Sequence, residues 1–150
     1  MKILNELFAI EPTNEEIYIQ KANICSKRDQ HEKAVELLKI ALQYTDDYAD
    51  VYNLIGMEYL FMDNLELAKD SFIKCLEEDI EDQSALYNVV YCFEFLDQNQ
   101  GAISYLDNYI EKNPYSEIAW HQKGRLHYGL KEYENAIRAF DYATLIDDEF

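Results

Sequence analysis

Three histidines, three cysteines and 30 acidic residues are the first groups in this 150-residue chain to consider for metal binding or acid–base chemistry. Two ligands on one helix can share a metal when they stand one turn apart, at i and i+4. His121 and His127 are six apart and point to different faces. Glu117 and His121 have the right spacing, but two ligands are too few for a structural zinc site. Nucleophilic and phosphate-handling sites leave local signatures, and the chain has no G-x-S-x-G, no H-E-x-x-H and no glycine-rich phosphate loop. Carboxylates are spread along the whole chain, so no pair stands out as acid and base. The expectation is therefore no enzyme, no metal and no cofactor.

The cysteines support the same view. Cys25, Cys75 and Cys92 are odd in number and form no C-x-x-C, which leaves no disulfide frame or zinc knuckle. They read as small buried hydrophobes in a reducing, cytoplasmic setting. No run of about eighteen apolar residues exists to span a membrane, and Asn5 and Glu6 interrupt the apolar start, which makes it a poor signal peptide. Net charge is −17. Nucleic acid is disfavoured as a partner, because its binding rests on Lys and Arg neutralising phosphates. Between Ala49 and Asp82 stand ten acids and two lysines, a local net of −8. A basic partner would be steered towards such a surface, although most of these acids read as a solvated outer face.

The elements that carry these groups are set by a repeat. Ala34, Ala68, Ala102 and Ala136 stand 34 residues apart three times over, with no insertion. In register with them run Leu38, Phe72, Leu106 and Phe140, then Ala41, Cys75, Tyr109 and Ala143. Ahead of them run Tyr18, Tyr52, Leu86 and Trp120, and Ala22, Gly56, Val90 and Gly124. Tyr52, Ile55, Gly56 and Tyr59 fall on one helical face at i, i+3, i+4 and i+7. Ala68, Phe72, Cys75 and Leu76 form a second face. Short polar stretches such as Asp63-Asn64 and Lys131-Glu132 separate the two. Each unit is thus a helix, a tight turn and a second helix, with the small residues where helices cross closely. Pro114 lacks the amide proton that a continuing helix needs, and closes its unit.

These columns resemble the tetratricopeptide repeat, most clearly in Trp120, Gly124, Ala136, Phe140 and Ala143 and in Tyr52, Ile55, Gly56, Tyr59, Ala68 and Phe72. A fixed period of this length, kept over four copies, is the mark of a repeat array. The resemblance implies an all-α fold, a right-handed superhelical solenoid of antiparallel helix pairs. It divides a single domain, 1–150, into repeats at 15–48, 49–82, 83–116 and 117–150. The first is the weakest, with Lys21 and Cys25 where larger apolar residues are usual. Leu4 and Leu7 fall on the second-helix columns of Leu38 and Ala41, and Pro12 on that of the closing Pro114, so residues 1–14 read as the second helix of an incomplete repeat.

In this family the first helices line a concave wall, and the register names its residues here. One column is Ile19, Asn53, Tyr87 and His121; the next is Asn23, Met57, Tyr91 and Arg125. Asn88 and Gln122 flank them, beside Gln20 and Leu54, with Glu16, Asp50, Ser84 and Ile118 at the rim. The mix of aromatics and amides suits a peptide or a partner's helix, and Tyr and Arg are enriched where binding energy concentrates. Some members of the family clamp a chaperone's C-terminal carboxylate with Lys, Asn, Asn, Lys and Arg. The matching residues here are Ile19, Asn23, Leu54, Ser84 and Asn88, or Asn53, Met57, Asn88, Ile118 and Gln122, and neither set has a cation. That clamp is not expected. Phe61 and Phe95, at equivalent helix ends, are expected to pack under the next helix.

The functional expectation is a non-enzymatic protein-interaction scaffold. Two alternatives stay open: self-association, including a homodimer, through the last helix, which offers Ile137, Phe140, Leu145 and Ile146 with no successor, and an accessory segment of a longer multidomain protein.

Overall fold

A computed structural model describes residues 14–149, with side chains from 14 to 147. The expected half-repeat helix falls on residues 1–13, outside the described residues. Among the described residues there are eight α-helices and no strand. They are α1 (Glu15–Lys27), α2 (His31–Ala41), α3 (Tyr48–Phe61), α4 (Leu65–Glu78), α5 (Gln83–Phe95), α6 (Asn99–Lys112), α7 (Glu117–Gly129) and α8 (Tyr133–Glu149). The chain divides into two compact units, 1–85 and 86–150. Within the first, α1 packs on α2, α2 on α3, and α3 on α4. Within the second, α6 packs on α7 and α7 on α8.

Side-chain caps start the first helix of each pair. Asn14 accepts from Glu16 N–H, Asp47 from Asp50 N–H, Asp82 from Ala85 N–H and Ser116 from Ala119 N–H. Each cap satisfies one of the amide protons that a helix start leaves without a partner.

The turns inside the pairs are built alike. Asp29, Asp63, Asp97 and Lys131 stand 34 apart, and all four take left-handed backbone, with φ of 60°, 57°, 57° and 63°. The N–H one residue later reaches back to the carbonyl of Cys25, Tyr59, Phe93 or His127 at 2.8–2.9 Å. That bond closes a Schellman turn, whose left-handed position glycine usually fills. Asp tolerates this region through its short polar side chain, and Lys does so less well. Lys131→Gly is therefore expected to raise the urea midpoint, by about 1 kcal/mol of stability. Asp63→Gly should gain less. The same residue that donates this reach-back bond opens the second helix's ladder, with Ala34, Ala68, Ala102 and Ala136 N–H bonding Gln30, Asn64, Gln98 and Glu132 C=O at 3.0 Å.

The helices of a pair meet through matched small and large residues. A Cβ added to Gly56 would lie 2.7 Å from the Phe72 ring, and one added to Gly124 would lie 2.7 Å from the Phe140 ring. In the other two repeats the same columns hold Ala22 with Leu38 and Val90 with Leu106, all four buried. A larger residue at the crossing thus comes with a smaller one opposite. Lys21 and Cys25 fit the first repeat in different ways. Cys25 is buried in the core with Ala22, Ala34 and Leu38, while Lys21 is half-buried, and its desolvation lowers its pKa.

All three cysteines are buried. Burial, then the neighbouring Asp82, pushes the Cys75 thiol up to about 12. Its Sγ lies 3.6 Å from Asp82 Oδ2. The thiolate is the reactive form, so a disulfide-exchange reagent at neutral pH is expected to leave Cys75 untouched in the folded protein. Full denaturation should expose all three thiols; rapid labelling of the native chain would contradict this burial.

Candidate functional site

The residues expected to line a binding wall sit on α1 and α3 in the first unit and on α5 and α7 in the second. On α1, Ile19 is half-buried and Asn23 exposed. On α3, Asn53 and Met57 are half-buried, and Asn53 Oδ1 is a buried acceptor with no hydrogen-bond donor among the described residues. Such an orphaned polar atom is uncommon in a finished interior. One turn on in the same column comes Phe61. Its apolar type argues for packing under the next helix, but it is 58% exposed, its ring tilted against His31 at 5.2 Å.

His31 belongs to a small, partly buried polar group around the buried Glu58. Its Nδ1 lies 2.8 Å from Glu58 Oε2, and Ser26 Oγ donates to the same oxygen at 3.1 Å. The carboxyl stands between the histidine and the serine, so the histidine cannot relay a proton from the serine hydroxyl as a nucleophilic triad requires. The group ties α1 and α2 to α3. At the rim, burial first and then the nearby Asp47, Glu16 and Asp82 raise the pKa of Asp50.

In the second unit α5 presents Tyr87, Tyr91 and Phe95 at i, i+4 and i+8, with 46%, 45% and 66% exposure. The Tyr91 and Phe95 ring centroids are 4.3 Å apart. Phe95, like Phe61, was expected to pack under a neighbour, and instead extends an open stripe. Both phenylalanines are the last residues of their helices. Beyond them the Schellman turn carries the chain away, so no later turn of the same helix covers the ring.

Asn88 is half-buried beside this stripe, and His121 on α7 is exposed, its ring tilted on Phe140 at 5.7 Å. Gln122 and Arg125 behave differently. Gln122 is buried, and its Oε1 accepts from Arg125 Nη2 at 2.7 Å. The guanidinium also forms a two-pronged pair with Glu94, with Nη1 3.1 Å from Oε2 and Nη2 on the other oxygen. The Glu94 hydrogen bond raises the Arg125 pKa, and partial burial opposes that rise. Arg125 is thus committed to joining α7 to α5. Glu94 was not singled out from sequence; in the other repeats its column holds Ser26, Leu60 and Tyr128, so no pattern marks it.

His127 is buried, with Nδ1 3.0 Å from Glu132 Oε1, and so serves its own turn. Among the described residues no three His, Cys, Asp or Glu side chains are placed to share a metal ion. No described helix is long and apolar enough to cross a membrane.

The sequence model of the tetratricopeptide repeat matches residues 49–79 and 118–150, two of the in-register segments. Those two segments are thus similar to tetratricopeptide repeats. Among curated proteins it is 22% identical over 147 residues to anaphase-promoting complex subunit 3 of Schizosaccharomyces pombe. The match covers 98% of the chain but 22% of that relative, so the chain spans about a fifth of the relative's length. Solved structures share the fold. MamA superposes with a TM-score of 0.70 at 17% identity, covering 97% of this chain and 85% of MamA. YrrB, described as a TPR protein with an unusual peptide-binding site, gives 0.65 at 24% identity, covering 97% and 75%. Residues 41 to the end of MamA from Desulfovibrio magneticus RS-1 give 0.62 at 20% identity, covering 91% and 77%. The described residues therefore form an all-α fold of helix pairs, the fold of these solved structures.

Proposed function

We propose that this chain is a non-enzymatic scaffold that holds a peptide or a partner's helix against the first helices of its repeats, counted as 15–48, 49–82, 83–116 and 117–150. The observation that carries this reading is the open aromatic stripe Tyr87, Tyr91 and Phe95 on α5. Contiguous exposed apolar surface marks interaction sites, and tyrosine supplies contact area at small entropic cost. Asn88 and His121 border the stripe with groups able to bond a peptide backbone, while Gln122 and the Arg125–Glu94 pair fix the helices that carry it. In the first unit the corresponding contributors are Ile19, Asn23, Asn53, Met57 and Phe61, where the orphaned Asn53 oxygen would accept a partner's N–H. The printed description of YrrB, a repeat protein with a peptide-binding site, supports this reading. So does the relative's place as a subunit of a complex.

Co-purification with Tyr87→Ala, Tyr91→Ala tests it. Captured partner is expected to fall about tenfold or more with helicity unchanged, as when interface hot spots are truncated. Unchanged capture removes the reading. Exposed Ile137 and Leu145 on α8 favour a second reading, self-association. Ile137→Glu, Leu145→Glu would then convert a dimer to a monomer in sedimentation velocity, and a wild-type monomer would exclude it.

A further inference from the structure

The first unit holds a cavity of about 310 Å³ lined by residues of α2, α3 and α4. Leu42, Tyr52, Ile55, Tyr59 and Leu67 give it an apolar lining; Lys39, Lys74, Asp70 and Ser71 bring polar groups. On α3, Tyr52, Ile55 and Tyr59 fall on nearly the opposite face from Asn53, Met57 and Phe61, at 100° per residue. The cavity is therefore separate from the interaction face proposed above.

Its charge is unusual for its surroundings. Residues 49–82 carry ten acids against two lysines, yet two lysines and one acid line this cavity. Neither Lys39 nor Lys74 forms an ion pair with a described residue. The Lys74 ammonium instead sits 5.7 Å from the centre of the Tyr52 ring, which holds it at the cavity. Ser71 is committed, its Oγ donating to Leu67 C=O at 2.9 Å.

The second unit shows what the same positions look like when filled. Two repeats on, Tyr52 becomes Trp120, Lys74 becomes Tyr142, Ile55 becomes Lys123 and Lys39 becomes Asp107. There Trp120 stacks on Tyr142 with centroids 4.6 Å apart, occupying the space with aromatic rings. Lys123 lies 5.3 Å over Trp120 and pairs with the Asp107 carboxylate at 2.7 Å. The second unit thus supplies from its own side chains both an apolar body and a carboxylate for its lysine. The first unit has the lysines and the aromatic wall, and its equivalent positions hold neither filler.

We infer that the cavity between α2, α3 and α4 binds a small apolar monocarboxylate, an aryl- or alkyl-alkanoic acid, with its carboxylate on Lys39 and Lys74 and its body against Tyr52, Ile55, Tyr59 and Leu67. A volume near 300 Å³ is at the lower end for small-molecule sites, which suits one ring or a short chain. A charge-assisted bond to an ammonium with no ion-pair partner among the described residues supplies the polar anchor.

The test is a titration of the isotope-labelled protein with 4-phenylbutanoate, followed by amide chemical shifts. Saturable shifts are expected at residues 52–59 and 67–74, with a Kd on the order of 1 mM for a ligand of this size. The uncharged 4-phenylbutanamide should bind at least about tenfold more weakly, and Lys39→Met, Lys74→Met should remove the preference for the acid. Tyr87→Ala, Tyr91→Ala, which disables the interaction face, should leave this binding unchanged, so the two readings fail separately. Equal binding of acid and amide overturns the inference, as does an absence of saturable shifts or shifts confined to α5. A peptide ending in free phenylalanine that binds more tightly than the small acid overturns the small-acid assignment as well.

Discussion

Phe72→Ala is expected to destabilise the first unit by about 3–5 kcal/mol. Phe72 has no exposed surface, and its ring sits on the bare backbone of Gly56 in α3. Truncation removes the ring's transfer free energy and leaves a void that two rigid helices cannot collapse to fill. The partner position responds in the opposite sense of volume. Gly56→Ala drives a Cβ to 2.7 Å from the ring, inside normal contact, and overpacking of this kind costs about 1–3 kcal/mol. The sharper test combines them. Gly56→Ala with Phe72→Leu rebuilds the Ala22–Leu38 pair of the first repeat, which is buried in place. Its loss, read from urea unfolding by circular dichroism, should be smaller than the sum of the single losses by roughly 1 kcal/mol or more. Strict additivity would mean that these columns do not compensate.

That pairing was legible because it depends only on register. Once Ala34, Ala68, Ala102 and Ala136 fix the phase, periodicity assigns each helix and its buried face, and Gly56 and Gly124 fall at the helix crossings where they are found. The left-handed turns were not read from sequence, because their residues are Asp and Lys rather than the glycine that advertises such backbone. Phe61 and Phe95 were misjudged for a related reason. Apolar type argues for burial, but their place as the last helical residues puts them past the covering turn, and position outweighs type there. The internal commitments of Arg125 and Gln122 were also hidden. Pairing with Glu94 depends on side-chain reach between α5 and α7, which a repeat column does not encode. An interaction face read from register alone therefore lists some residues that brace the face beside those that present it.

The polar group around the buried Glu58 sets the second large effect. Glu58 stands in a column whose other members are Ile24, Cys92 and Leu126, all apolar. It is the one charged residue type buried among the described core positions of α3, and its oxygen is held by His31 Nδ1 and Ser26 Oγ. His31→Ala removes one of those two partners and leaves the carboxyl group under-bonded in the interior, at a cost of about 3 kcal/mol. Glu58→Leu should cost far less, within about 1 kcal/mol of wild type, because an apolar side chain of similar size suits the column and buried ionic groups often do no better than such replacements. His31 then loses a partner but keeps some contact with water, being 17% exposed. If both substitutions destabilise equally, the pair itself is stabilising and the argument from the apolar column fails. The group has a second consequence, because the exposed Phe61 ring leans on His31. Glu58→Leu is expected to keep the fold and yet speed amide exchange around Phe61, since the histidine beneath the ring is no longer held by α3. Protection at Phe61 that matches wild type would restrict the group to joining helices, with no part in presenting the aromatic face.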